Sequence, residues 1–387
     1  MKQVIVGLQS GDEGKGKIVD YLAKDADLVV RFSGGANAGH TIVTDDKTYK
    51  LHLIPSGIIY PHTDVVLGTG MVIDVDDLQT ELDILTEQGI DWKGRIFISD
   101  RAHMIYNHYK TLDIERDSKR NNPIGTTGRG IGIAYEYKAG RIGKRVSESV
   151  IIQLIDGITI VNLPYFMEQY KDKSILFEGA QGALLDLDVG TYPFVSSGSA
   201  ISAGASSGGG IGVTDIDRTF GVFKAYQSKV GNGPFPTKFT DEELAQYIRD
   251  TGREYGVTTG RPRDVGYLDL VALKYSVLVN GIDSLVLTHL DVLDTMDTIK
   301  VCDGYEIDGK RVSEFPSNIE DLEKVKPLYS KLKGWNTITT DITHRTGLPN
   351  NALKYIEFIE QYVGVDIDII SVGYNREETM SMLKIWN

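Results

Sequence analysis

Only one of the 387 residues, Cys302, is a cysteine, so the chain can form neither an internal disulfide nor a thiolate metal cage. Its side chain reads as a small buried group. No stretch approaches eighteen consecutive apolar residues, which removes a membrane-spanning helix, and Met1 leads straight into a short strand-like run rather than a secretory leader. A cytosolic location is expected. Positive charge is in deficit: 41 Lys and Arg stand against 54 Asp and Glu, a formal charge of -13. Such a surface repels a polyanion unless its cations are gathered on one face, and here they are scattered, so no nucleic-acid partner is expected. There is no internal repeat. The nearest approach to low complexity, Ser202 to Gly212, reads as a flexible loop of Ser, Gly and Ala. With 41% hydrophobic and 25% charged residues, the chain has the composition of an ordinary soluble enzyme, expected as a single unit over 1–387 with helical and loop subregions.

Short apolar runs recur from end to end: Val4 to Val6, Leu28 to Val30, Val65 to Leu67, Ile96 to Ile98, Ser174 to Phe177, Phe220 to Phe223, Ser284 to Thr288 and Ile367 to Ser371. Between them lie segments of helical period: Ile18 to Lys24, Asp77 to Glu87, Asp241 to Arg249, Leu268 to Leu278 and Asn351 to Tyr362. This alternation predicts an α/β fold with a large, mostly parallel central sheet and flanking helices. In such sheets ligands bind at the carboxyl edge of the strands.

Two glycine-rich loops follow the first two runs directly. In the first, Gly11-Asp12-Glu13-Gly14-Lys15-Gly16-Lys17, the glycines let successive N–H groups approach phosphate oxygens at the start of a helix beginning near Lys15. It is not a Walker A loop, because Lys15 is followed by Gly16 rather than Ser or Thr. Asp12 is placed to ligate Mg²⁺ or act as a base, and Lys15 to neutralise phosphate. The second loop, Gly34 to Thr41, offers Asn37, His40 and Thr41; an imidazole beside a phosphate can donate to a developing oxyanion.

Four further loops carry chemistry. Ile124 to Gly132 supplies Thr126, Thr127 and Arg129 on glycine-rich backbone suited to a monophosphate, and Arg141 follows in a basic run from Lys138 to Arg145 that equally suits a solvated face. Phe177 to Gly182 sets Gln181 at a strand end, either as an amide for a heterocycle edge or as a simple turn. Val257-Thr258-Thr259-Gly260-Arg261-Pro262-Arg263 joins two hydroxyls to two guanidinium groups, a donor set for a dicarboxylate. Thr288-His289-Leu290-Asp291 ends a strand with a carboxylate that either reads a guanine edge or caps a helix.

Taken in order, GDEGKGK, FSGGANAGHT, HLIPSG, ISDRAH, IGTTGRGIG, LFEGAQG, GTYPFV, VGNGPFPT, TTGRPR and LDVLD resemble the adenylosuccinate synthetase family over nearly the whole chain. The resemblance implies a P-loop NTPase-like sheet, a homodimer, Mg²⁺, and the conversion of IMP, GTP and L-aspartate to adenylosuccinate, GDP and phosphate. It implies that Asp12 takes the N1 proton of IMP and His40 stabilises the transferring phosphoryl group, with Lys15 and Gln181 also catalytic. IMP is then contacted by Asp12, Glu13, Gly14, Lys15, Asn37, Ala38, Gly39, His40, Thr127, Gln181, Ser196 and Arg261, and by Arg141 across a dimer interface. The implied aspartate site is Val257 to Arg261 with Arg263. The implied GTP site is Gly11 to Lys17, Gly39 to Thr41, Arg263, His289, Leu290, Asp291 and Ser371-Val372-Gly373, and Mg²⁺ would sit on Asp12 and the Gly39 carbonyl.

The chain departs from the family pattern at several points. His289 stands where Lys is usual, Tyr374 where Pro is usual, Ser10 in place of Trp and Ser196 in place of Thr, and the stretch from Arg145 to Phe177 is short. Two alternatives therefore accompany the leading reading: a viral-type 2-aminoadenylosuccinate synthetase acting on (d)GMP with ATP or GTP, against which Asp12 argues, and a catalytically silent nucleotide-binding module.

Overall fold

A computed structural model describes residues 1–43, 47–256 and 260–386. Among them, ten strands form one central sheet: β1 (Lys2–Gly7), β2 (Leu28–Arg31), β3 (Asp64–Leu67), β4 (Ile96–Ser99), β5 (Ile158–Val161), β6 (Ile175–Glu178), β7 (Arg218–Lys224), β8 (Ser284–Thr288), β9 (Ile367–Ser371) and β10 (Thr379–Ser381). Their spatial order is β10-β9-β8-β7-β1-β6-β2-β3-β4-β5, parallel throughout except for β10, which runs antiparallel to β9. The chain first builds outward from β1 through β2 to β5. It returns to β6 and then builds the other half, which makes the centre a switch point where a crevice opens.

The apolar runs are unbroken because both faces are covered. Val4 and Val6 of β1 enter one core while Ile5 enters the other, and Val29 is likewise opposite Leu28 and Val30. Helices α1 (Lys15–Ala23) and α2 (Val75–Glu87) cover the face of Ile5, through Ile18, Val19 and Leu22 and through Leu78, Leu82 and Leu85. The rim of the cleft carries α3 (Asn107–Ser118) and α4 (Ile131–Ala139). The opposite face holds α5 (Ala203–Gly209), α6 (Glu242–Gly252), α7 (Leu270–Asn280) and α8 (Asn350–Val363). No helix of the described residues is long and apolar enough to cross a membrane.

All eight expected strand runs and all five expected helical segments are present. The strand β5, the edge strand β10 and an antiparallel sheet of Thr298–Ile307, Lys310–Val312 and Lys326–Lys333 were not expected. Thr379–Ser381 and Lys310–Val312 span only three residues each and the two longer strands carry polar residues between their apolar ones, whereas Ile158–Val161 is wholly β-branched and does carry a strand signal.

The expectation of a flexible loop at Ser202 to Gly212 is corrected: Ala203–Gly209 is helical, with Gly204, Ala205, Gly208 and Gly209 buried. The glycines serve close packing. A Cβ at Gly208 would strike the Phe32 carbonyl oxygen, and one at Gly70 would strike the same atom. Exposed helix positions gain about 1 kcal/mol on Gly→Ala replacement. Gly208→Ala is instead expected to destabilise by about 1–3 kcal/mol through overpacking, read as a lower urea midpoint at unchanged slope; a raised midpoint would contradict this account.

Candidate active site

The turns after β1, β2, β6, β7, β8 and β9 converge on one cleft of about 720 Å³. It is lined by Asp12, Lys15, Asn37, His40, Thr127, Gln181, Ser196, Arg263 and His289, among others. Residues 257–259, and with them Val257, Thr258 and Thr259, lie outside the described residues.

Two helices open on this cleft without a side-chain cap. α1 starts after Gly14 (φ 84°) and α4 after Gly130 (φ 73°), both in the left-handed region that glycine tolerates best. By contrast α2, α6 and α7 are capped by Asp74, Asp241 and Asp269. The α1 terminus therefore presents N–H groups with no protein side-chain acceptor, as the phosphate-cradle reading requires. The two loops also touch: a Cβ on Gly16 would lie 2.9 Å from the His40 Cβ.

The first loop is wound around its own carboxylate. Glu13 is fully buried and accepts from the Gln9 and Gly11 N–H groups at 3.0 and 2.9 Å and from Lys15 Nζ at 2.6 Å. Its side chain is thus turned away from the cleft, while Asp12 (φ 58°) stands at the tip, a little over one-third exposed. Lys17 is likewise committed: Nζ donates to Ser371 Oγ, Gly373 O and Glu378 O at 2.7–3.0 Å, tying α1 to the turn after β9. Burial lowers its pKa to about 8.

His40 owes its place to the sheet. Arg31 and Glu178 are registered neighbours on β2 and β6, so their side chains share a face. Buried Arg31 donates to the Gly35 carbonyl at 3.0 Å and to that of His52, fixing the second loop. Glu178 pairs with His40 Nδ1 and accepts from Ser56 N–H at 2.8 Å. Burial works to raise the Glu178 pKa, but His40, Arg31 and the Ser56 amide hold the carboxyl below its usual range. An ionised carboxylate at Nδ1 leaves Nε2 as the other ring nitrogen available for proton work.

A second buried carboxylate organises the opposite wall. Glu254 accepts from Lys224 Nζ and Tyr226 OH, both at 2.6 Å, and from Arg263 Nη1 at 2.9 Å. Arg263 Nη2 in turn lies 3.1 Å from Asp12 Oδ2. Desolvation opposes its charge, yet Lys224, Arg263 and His289 bring the Glu254 pKa down to about 2. His289 (φ 56°) is buried edge-on to Tyr226, and burial beside Lys224 lowers its pKa to about 3, so it is a neutral ring at pH 7. Asp291 is pushed up to about 6 by burial, and its Oδ1 has no protein partner.

Gln181 (φ 59°) has a buried amide nitrogen without an acceptor, and Asn37 Oδ1 takes the Gly35 N–H at 3.2 Å. Arg141 (φ 63°) is exposed outside the cleft, and Gly260 and exposed Arg261 are not among its lining residues. Arg31, Glu178, Lys224, Tyr226 and Glu254 received no role from the sequence. Glu178 lay inside a quoted motif and Glu254 three residues ahead of another, but a buried buttress leaves no distinctive spacing.

Because the folded-state pKa of Glu254 lies below its ordinary 4.5, its ionisation contributes stability that is complete above about pH 4.5 and lost as pH falls toward about 2. Glu254→Gln is expected to lower the urea midpoint at pH 6, with the gap from wild type closing between pH 4.5 and 2.5. A gap independent of pH would remove Glu254 as a charged hub.

A family profile for adenylosuccinate synthetase matches residues 4–156 and 151–380. The adenylosuccinate synthetase of Prochlorococcus marinus strain MIT 9215 is 45% identical, covering 97% of this chain and 96% of its own length. That of Caldanaerobacter subterraneus is 43% identical over 97% of this chain and 98% of its own. The fully ligated adenylosuccinate synthetase of Plasmodium falciparum superposes with a TM-score of 0.92 at 37% identity, covering 98% of this chain and 99% of that one. The cyanophage S-2L succinoaminodeoxyadenylate synthetase, bound to dGMP and dATP, shares the fold at a TM-score of 0.69 and 19% identity, covering 99% of this chain and 96% of its own. At 41–45% identity over almost the full length of several bacterial relatives, the chain belongs to the adenylosuccinate synthetase family.

Proposed function

We propose that this chain ligates L-aspartate to IMP at the expense of GTP, through a 6-phosphoryl-IMP intermediate, giving adenylosuccinate, GDP and phosphate. The observation that carries this reading is the meeting of Asp12 and His40 at one cleft, each braced by its own buried carboxylate through Arg263 or directly.

Asp12 takes the N1 proton of IMP, so that O6 attacks the γ-phosphate of GTP. His40 donates toward the transferring phosphoryl group from the opposite loop, and Lys15 adds positive charge beside it. The amine of aspartate then displaces phosphate from C6. Such transfer depends mainly on positioning and charge stabilisation, which uncapped helix termini and cations supply. Aspartate is assigned to the 257–263 loop with Arg261 and Arg263. IMP is assigned to Asn37, Thr127, Gln181 and Ser196, with Arg141 reaching the 5′-phosphate bound by a partner subunit of a homodimer. The base of GTP is assigned to His289, Asp291 and the turn after β9; the unpartnered Asp291 Oδ1 supports this.

Mg²⁺ fits the donors present. Among the described residues there is no cluster of three or more His, Cys, Asp or Glu, and Mg²⁺ commonly takes one carboxylate with substrate phosphates and water. Asp12 and the Gly39 carbonyl would hold it, and there it would neutralise phosphate charge.

Retention of Asp12 favours IMP over an aminated purine. Purified protein is expected to form adenylosuccinate from IMP, GTP and aspartate; product from dGMP but not IMP would overturn the assignment. Asp12→Asn is expected to lower kcat by about 10²–10⁴-fold, the range of a general base, with an unchanged melting temperature. Near-normal turnover would remove Asp12 from the mechanism.

A further inference from the structure

Two exposed side chains meet across the mouth of the cleft. The Arg253 guanidinium lies over the Tyr374 ring, 4.1 Å from its centroid, and both residues line the cleft with His289, Ser371 and Gly373. Tyr374 is 41% exposed and Arg253 is exposed as well, so the contact is not a by-product of core packing.

Each partner stands on a fixed mount. Arg253 follows α6 in the left-handed region (φ 53°), where glycine is the usual residue; its N–H donates to the Arg249 carbonyl and its own carbonyl accepts the Tyr255 N–H at 2.8 Å. Next in the chain is Glu254, held by Lys224, Tyr226 and Arg263. On the other wall, Gly373 O takes Lys17 Nζ at 2.9 Å, and Glu378 closes the turn by accepting the Asn375 N–H on Oε2 at 2.6 Å and the Val372 N–H on its carbonyl at 3.0 Å. A Cβ on Gly373 would lie 2.3 Å from Glu378 Oε2, so this turn is tightly packed. With both backbones pinned, it is the two side chains that are free to part.

An exposed guanidinium–ring stack is weak enough to open on thermal motion, and it strengthens as water is excluded from around it. A flat base seated beneath it would exclude that water. We propose that Arg253 and Tyr374 form a strap over the pocket that takes the purine of the nucleoside triphosphate, parting to admit the nucleotide and then retaining it. The inference rests on the reading that places this base among His289, Asp291 and the turn after β9. The effect of the strap falls on nucleotide dissociation rather than on phosphoryl transfer.

The test is displacement of N-methylanthraniloyl-GDP by excess GDP, with Mg²⁺ present, from wild type, Arg253→Gln, Tyr374→Leu, Tyr374→Phe and the double variant of Arg253→Gln with Tyr374→Leu. Arg253→Gln and Tyr374→Leu are each expected to speed dissociation by about three- to tenfold, and the double variant no more than the faster single, because both remove one contact. Tyr374→Phe keeps a ring under the guanidinium and is expected to stay within about twofold of wild type. In steady-state assays the KM for GTP is expected to rise more than that for IMP in both single variants. Unchanged dissociation, or single effects that multiply in the double variant, would overturn the strap. Urea unfolding of the same proteins without nucleotide reads the contact by itself: non-additive losses are expected, and additive ones would overturn it as well. If wild-type protein binds no labelled GDP while the unfolding cycle shows the coupling, the base-site reading fails rather than the contact.

Discussion

Backbone N–H groups in the turns at a sheet's carboxyl edge have no ladder to join, and an unpartnered buried amide costs about 1–3 kcal/mol. Inward-facing carboxylates take them up throughout this molecule. Glu13 serves the turn at residues 9–11, Asp186 the N–H groups of residues 188, 189 and 200, and Asp117 those of residues 124–126. Charge-assisted bonds of this kind are roughly twice as strong as neutral ones. The loops around the cleft are therefore folded on the protein's own anions, and the N–H groups left over at the α1 terminus are those that face the cleft.

The same economy governs the proton-handling groups. Arg31, Glu178 and His40 form a buried series on one side of the cleft, and Lys224, Glu254 and Arg263 form another on the other side, with the exposed Asp12 at its cleft end. In each, a buried charge is matched within hydrogen-bonding distance, without which burial would drive it neutral. Asp12 and His40 thus reach the cleft on loops pinned to the sheet by these buried charges, which suits a reaction that depends on placement.

Much of this was legible beforehand, because strands buried on both faces leave continuous apolar runs and helices leave a 3.6-residue period. The glycine loops were legible as chemistry because Gly, acid and Lys in close succession have little value as a plain turn. The segment Ala203–Gly209 was misjudged because glycine normally weakens helices. Here it is required where α5 meets the Phe32 carbonyl oxygen, a contact made with residues 176 positions earlier in the chain. Lys17 and Glu13 sit inside a phosphate-loop motif, yet one secures the turn after β9 and the other the loop's own amides. Motif membership does not say which way a side chain turns.

The sequence by itself determined the parallel α/β architecture, the order of the loops and the presence of Asp12, His40 and Arg263 in them, since these follow from local pattern and residue chemistry. Only the tertiary structure decided which carboxylates are buttresses and which face the cleft. Glu178 is set beside Arg31 by strand register, Glu254 beside Lys224 and Arg263 by the packing of α6 against the sheet, and Asp117 against residues 124–126 by the path of the chain after α3. Each pairing depends on burial and on partners distant along the chain or across a turn, quantities that the identity and spacing of residues do not encode.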